Sequence, residues 1–232
     1  MVTLVLLPGM DGTGTLFEPF IAALGSEFRV EVVRYPLAEP LGYAELEAFA
    51  RAALPTEGPF VILGESFSGP IAVSLAASCS SQLKGLVLCC TFVRNPRPLF
   101  SGLQPLVRML PVAMVPVGVL SHMLLGTFTT AALRLALAQA IARVTPAAFR
   151  ARLQAVLSVN VSAKLSALTV PALYLRASRD RVVPRAASKL VSQLNPRARV
   201  VEVEGPHFLL QAAPSEAARV VGAFVREVQN AV

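Results

Sequence analysis

Apolar positions along this chain fall into two patterns that alternate. Val2–Leu7 is a near-continuous apolar run, as expected of a central parallel strand covered on both faces. Phe17, Phe20, Ile21 and Leu24 then recur at helical spacing and predict a helix packed back on the sheet. The rhythm continues with a strand over Arg29–Arg34, a helix over Tyr43–Leu54, a strand over Pro59–Leu63, a helix over Phe67–Ala77 and a strand over Leu83–Cys90. Near the C-terminal end it returns, with Ala172–Arg176 as a strand, Pro184–Leu194 as a helix, Arg199–Val203 as a strand and Ser215–Val228 as a closing helix. Such alternation predicts an α/β fold, a doubly wound, mostly parallel sheet of six strands with helices on both faces.

From Phe92 to about Leu168 the strand pattern is missing. Apolar helical stretches are expected instead over Leu99–Leu110, Val112–Leu125, Thr129–Val144 and Pro146–Leu157. Thr145-Pro146 reads as a helix start, since proline suits the first helical position. A strand-free segment of this length exceeds an ordinary strand-to-helix connection. It divides the chain into a core of residues 1–91 and 169–232 and a helical insertion of residues 92–168.

The third strand runs into V-I-L-G-E-S-F-S-G, Val61–Gly69. Serine is a weak nucleophile at neutral pH and must be exposed beside a base to react. A sharp strand-to-helix turn does this, lifting the hydroxyl above the sheet edge and placing the next backbone N–H at a helix start. The turn brings flanking backbone close together and so calls for small residues two before and two after the serine. Gly64 and Ser68 meet that demand around Ser66. Here the chain resembles the α/β-hydrolase superfamily, whose nucleophile elbow reads G-x-S-x-G, with Ser68 in place of the last glycine. The resemblance implies that residues 92–168 are a cap. It also implies a compact sheet that begins at the strand before the oxyanion loop, without the family's usual first two antiparallel strands.

A serine nucleophile needs a base, and the chain has two histidines. His122 lies among Leu120, Met123, Leu124 and Leu125, a setting for a structural histidine. His207 follows the sixth strand in E-G-P-H-F, at the carboxyl edge of the sheet where Ser66 is displayed and where ligands bind in open parallel sheets. The imidazole in turn needs a carboxylate to hold its tautomer. Of the two aspartates, Asp180 follows the fifth strand in R-A-S-R-D-R-V-V-P, similar to the family's acid loop, and Ser66…Asp180…His207 matches the family order. Asp180 as a plain loop cap, paired with Arg179 or Arg181, is the alternative; Glu204 lies too close to His207 along one loop to be the first choice. For the oxyanion, the N–H of Phe67 is one donor. The resemblance implies the N–H of Met10, in Pro8-Gly9-Met10, as the second, with Asp11 shaping that loop through Gly12 or Thr13. Cys90, Phe92 and Phe208, with leucines of the insertion, are candidates for an apolar acyl pocket and equally for the core.

Composition narrows this further. Apolar residues make up 54% and charged residues 15% of 232, and the net charge of +7 is carried by scattered arginines such as Arg29, Arg51, Arg134 and Arg219. No basic stripe is formed, so nucleic acid is not an expected partner. The apolar run Leu103–Leu125 is interrupted by Arg108, Pro111, Pro116, Gly118 and His122, which argues against a membrane-spanning helix. The N-terminal M-V-T-L-V-L-L-P-G has no basic region or cleavage site and reads as a strand. Cys79, Cys89 and Cys90 have no metal spacing and read as free thiols of a reducing, cytoplasmic setting. The expectation is a serine esterase of the carboxylesterase type, requiring no metal or organic cofactor and acting on a small-molecule ester with an apolar acyl group. A thioesterase, an acyltransferase, or a binding protein that keeps the fold with little turnover are the alternatives.

Overall fold

The computed structural model describes residues 2–78, 81–103 and 116–230. Six strands form one sheet: β1 (Thr3–Leu7), β2 (Arg29–Val32), β3 (Phe60–Glu65), β4 (Leu83–Cys89), β5 (Ala172–Ala177) and β6 (Arg199–Val203), in the order β2-β1-β3-β4-β5-β6. Every neighbouring pair is parallel, with Leu4 opposite both Val30 and Val61 in the middle of the sheet. The sheet is therefore the expected α/β architecture, and parallel throughout.

Side-chain alternation on the pleat splits the core into two layers. Val5, Leu7, Ile62, Leu86, Leu88 and Tyr174 face one side. There they meet α2 (Tyr43–Ala52) through Leu46 and Ala50, and α3 (Gly69–Ser78) through Ile71 and Leu75. Leu4, Leu6, Val61, Leu63, Val87 and Leu173 face the other side. They meet α1 (Glu18–Leu24) through Phe20 and Leu24, and the C-terminal helix Pro214–Asn230 through Val221, Phe224 and Val228. Buried on both faces, the central strands need continuous apolar sequence, which is why their runs were so legible. The edge strands β2 and β6 carry Arg29, Glu31, Arg199 and Glu202, and charge there opposes pairing with another chain.

Between β4 and β5 the described residues hold helices and a single antiparallel bridge, Arg94 with Asn160. After a 3-10 helix at Pro98–Leu103 come α4 (Val117–Leu124), α5 (Ala131–Ala142), α6 (Pro146–Ser158) and α7 (Ser162–Ser166). The expected helices over Leu99–Leu110 and Val112–Leu125 fall partly on residues 104–115, outside the described residues, as does Cys79. Thr130 and Thr145 cap α5 and α6, accepting from the N–H of Leu133 at 3.1 Å and of Ala148 at 3.2 Å. The two ends of the segment are tied together: Val161 N donates to Val93 O at 2.7 Å and Asn95 N to Val159 O at 3.0 Å. The remaining helices are α8 (Arg185–Leu194), α9 (Leu209–Ala212) and α10 (Pro214–Asn230). Among the described residues no helix is long and apolar enough to cross a membrane.

The layered core yields a direct stability expectation. Phe224 is 3% exposed and packs against Gly85, where an added Cβ would stand 3.0 Å from its ring. Phe224→Ala should cost about 3–5 kcal/mol in urea unfolding, whereas Leu135→Ala, at a residue 59% exposed, should stay within about 0.5 kcal/mol.

Candidate active site

Strand order reverses between β1 and β3, because β2 lies outside β1 while β4 to β6 extend the other way. In an open parallel sheet this switch point leaves a crevice at the carboxyl ends of the two strands. The loop that follows β1 and the turn that follows β3 both open there. Ser66 is the first residue beyond β3, at φ 48°, and starts a 3-10 helix, Ser66–Ser68, that leads into α3.

Small residues make the turn possible. A Cβ on Gly64 would stand 2.7 Å from Ala72 Cβ and 2.8 Å from Ser68 O, and one on Gly69 would stand 1.9 Å from Thr91 Oγ1. Ser68 has room for its hydroxyl, which donates to Pro8 O and accepts from the Tyr35 hydroxyl at 2.7 Å. The departure from the glycine pattern thus ties the elbow to the loop after β1. Behind Ser66, Thr91 Oγ1 donates to Ser66 O, and the Tyr174 hydroxyl donates to Thr91 O at 2.5 Å.

The structure brings Ser66, His207 and Asp180 together. Ser66 Oγ lies 2.8 Å from His207 Nε2, and His207 Nδ1 lies 3.0 and 2.9 Å from the two Asp180 oxygens. Facing a carboxylate, Nδ1 carries the proton, so Nε2 accepts from the serine hydroxyl. The side chains of His207 and Asp180 are 2% and 6% exposed, which shields the pair from competing water. Asp180 Oδ1 also accepts from the N–H groups of Val182 at 2.8 Å and Val183 at 2.9 Å, so the carboxylate is held from two sides. Glu204 is exposed.

Met10 stands in the loop after β1 and Phe67 directly follows Ser66. Among the described residues, no hydrogen bond within the protein takes the N–H of Met10. The N–H of Phe67 is one of the donors that a helix start leaves free. Asp11 accepts from the N–H of Thr13 at 2.9 Å and from its hydroxyl, closing the loop as expected. Cys90 and Phe92 are buried in the two opposite core layers, and Phe208 lies beside His207, ring centroids 6.4 Å apart. Cys89 and Cys90 are free and buried; its neighbour's thiol and burial push the Cys89 thiol up, so it stays protonated. His122 is exposed and 2.8 Å from Arg181 Nη1.

Three groups at the site escaped the sequence reading. Glu65 is 5% exposed and accepts from Gln211 Nε2 at 3.0 Å, across 146 residues. Burial pushes its carboxyl up to about 7, with Asp11 adding to the rise and Gln211 and His207 opposing it. Thr91 and Arg152 are also fully buried. Only Arg152 carried a signal: it interrupts the buried stripe Ala148, Arg152, Val156 at four-residue spacing on α6.

Residues 4–221 match the family model described as "Alpha/beta hydrolase family". The fold and the crevice define an open-sheet α/β protein of that kind, and the chain belongs to this family. It is 35% identical over 122 residues to the chloroplastic phytyl ester synthase 1 of Arabidopsis thaliana, a match covering 49% of this chain and 16% of that protein. Among solved structures it is similar to a thermophilic esterase from Thermogutta terrifontis, with 21% identity, TM-score 0.82, and 98% and 90% of the two chains covered. A carboxylesterase structure from Nitrososphaera gargenis is similar at 18% identity and TM-score 0.84, covering 100% and 92%. The enol-lactonase from Burkholderia xenovorans is similar at 17% and 0.76, covering 97% and 91%.

The raised Glu65 carboxyl has a thermodynamic sign. The folded protein holds this proton between about pH 4.5 and about pH 7, where the unfolded chain releases it. Its contribution is therefore full below about pH 4.5 and is lost as pH rises towards about 7, amounting to about 3 kcal/mol. Glu65→Gln should remove this dependence. In urea unfolding, the variant should gain about 2–3 kcal/mol relative to wild type between pH 5 and pH 8. An unchanged difference would mean that Glu65 does not titrate there.

Proposed function

We propose that this protein is a serine hydrolase that cleaves carboxylic esters, with Ser66 as nucleophile, His207 as base and Asp180 as orienting acid. The observation that carries the reading is the unbroken hydrogen-bonded series from Ser66 Oγ through His207 to Asp180. His207 Nε2 takes the hydroxyl proton as Ser66 Oγ attacks the acyl carbon, and Asp180 stabilises the imidazolium that forms. The N–H groups of Met10 and Phe67 receive the oxyanion. Collapse of the tetrahedral intermediate expels the alcohol, protonated by His207, and leaves an acyl group on Ser66. Water activated by His207 then releases the acid. None of these steps calls for a metal or organic cofactor.

Residues 92–168 act in this reading as a cap over the crevice. Its paired ends at Val93–Asn95 and Val159–Val161 support a neck. The segment touches the loop that carries His207, where Leu124 O accepts from Phe208 N at 3.1 Å, and the loop after β2, where Thr145 N donates to Leu37 O at 2.9 Å. An apolar acyl group would lie beneath it, near Phe208. The free, buried Cys89 and Cys90 suit a reducing, cytoplasmic setting.

A second reading keeps the acyl-enzyme and replaces water by an alcohol. It is favoured by the match to a phytyl ester synthase, although that match spans 16% of the plant protein.

Chromogenic esters from acetyl to palmitoyl test the proposal. Ser66→Ala and His207→Ala should each lose turnover by at least about 10³-fold, and Asp180→Asn by about 10⁴-fold through the wrong tautomer. Wild-type activity surviving in Ser66→Ala would overturn the mechanism. With a long-chain alcohol added, ester product rising at the expense of free acid would select acyl transfer over hydrolysis.

A further inference from the structure

Arg152 heads the fully buried side chains by volume, yet it forms no ion pair with a carboxylate among the described residues. Burying a cation in that way is costly unless other groups compensate. Here the compensation is backbone at Nη1 and Nη2, while the buried Nε has no hydrogen-bond partner among the described residues. Arg152 Nη1 donates to Met10 O at 2.8 Å and Asp11 O at 3.0 Å, and Nη2 donates to Pro36 O at 2.7 Å. Its guanidinium carbon is 5.8 Å from the centre of the Tyr35 ring, and a Cβ on Gly12 would stand 2.7 Å from Nη1. A side chain at Gly12 would collide with it.

Each carbonyl from Pro8 to Gly12 is accounted for. Pro8 O accepts from Ser68, Gly9 O from Gly12 N at 3.1 Å, and Gly12 O from Tyr35 N at 2.9 Å. Met10 O and Asp11 O are held by Arg152. Gly9 O belongs to the peptide that carries the Met10 N–H, and Met10 O to the next one. With both peptide planes pinned, the direction of the Met10 N–H is set.

We infer that Arg152 is a positioning residue for the oxyanion loop, fixing the Met10 N–H from a helix 142 residues away in sequence. The inference rests on the hydrolase reading above. It assigns α6 a part in catalysis beyond covering the crevice, without contact with the reacting atoms. A preorganised donor contributes only when negative charge develops on the acyl oxygen, so its loss falls on kcat rather than on substrate binding.

The test compares wild type with Arg152→Ala and Arg152→Lys, on the ester that wild type turns over best. Both variants should lose about 10²-fold in kcat with KM changed less than about threefold. Affinity for an alkylboronic acid, which adds to serine as a tetrahedral anion, should fall by a similar factor when read by calorimetry, independently of turnover. Millimolar guanidinium should restore kcat to Arg152→Ala and leave wild type unaffected. Unchanged kcat and boronate affinity in a folded variant, even with a lowered melting temperature, would overturn the inference. Should Arg152→Ala not fold, Arg152→Lys carries the same two readouts. Wild type without ester turnover would instead count against the hydrolase reading, with boronate affinity still deciding the role of Arg152.

Discussion

A serine held at φ 48° sits where side-chain-bearing residues stay only if their surroundings leave no alternative, at a cost of order 1–3 kcal/mol. The site depends on that constraint. Gly64 lets α3 approach the end of β3, and Gly69 lets Thr91 reach the Ser66 carbonyl. Tyr174 fixes Thr91 from β5, and Ser68 reaches across to Pro8. The elbow is thus tied to β1, β4 and β5 at once.

Much of the buried polarity among the described residues lies around the crevice. The two core layers are mainly aliphatic and aromatic, while Asp11, Glu65, Thr91, Arg152, His207 and Gln211 are all buried near the carboxyl ends of β1, β3, β4 and β6. Buried groups of this kind must be satisfied by one another or by backbone. Asp11 and Asp180 are satisfied largely by the backbone N–H groups of their own loops, and Nη1 and Nη2 of Arg152 by backbone carbonyls. Glu65, whose carboxyl is pushed up to about 7, is met by a side-chain amide. Surface ion pairs such as Arg219–Glu216 and Arg226–Glu27 are well exposed and contribute little by comparison.

The helical segment between β4 and β5 joins both halves of the crevice. Leu124 meets the loop after β6, Arg181 beside Asp180 reaches His122 on α4, and α6 inserts Arg152 against the loop after β1. The segment is thus docked at three loops around the crevice.

Local pattern determined the strands and most of the helices, and it marked the turn at Ser66, which His207 and Asp180 after later strands then singled out. Continuous apolar runs and helical spacing are properties of adjacent residues, and Gly64 with Ser68 records the crowding of one turn. His207 and Asp180 were legible because each follows a strand and parallel strands deliver all their carboxyl ends to one edge, with the family resemblance in loop and residue order adding to the choice of Asp180. Asp11 and Thr145 were legible for the same local reason, since each caps or closes its own loop. Tertiary structure decided the order β2-β1-β3-β4-β5-β6 and hence where the crevice lies. It also decided that Glu65 meets Gln211 and that Arg152 meets Met10, pairs separated by 146 and 142 residues. Nothing in a short window specifies such partners, because a buried charge is chosen to match carbonyls and amides that only packing brings to it.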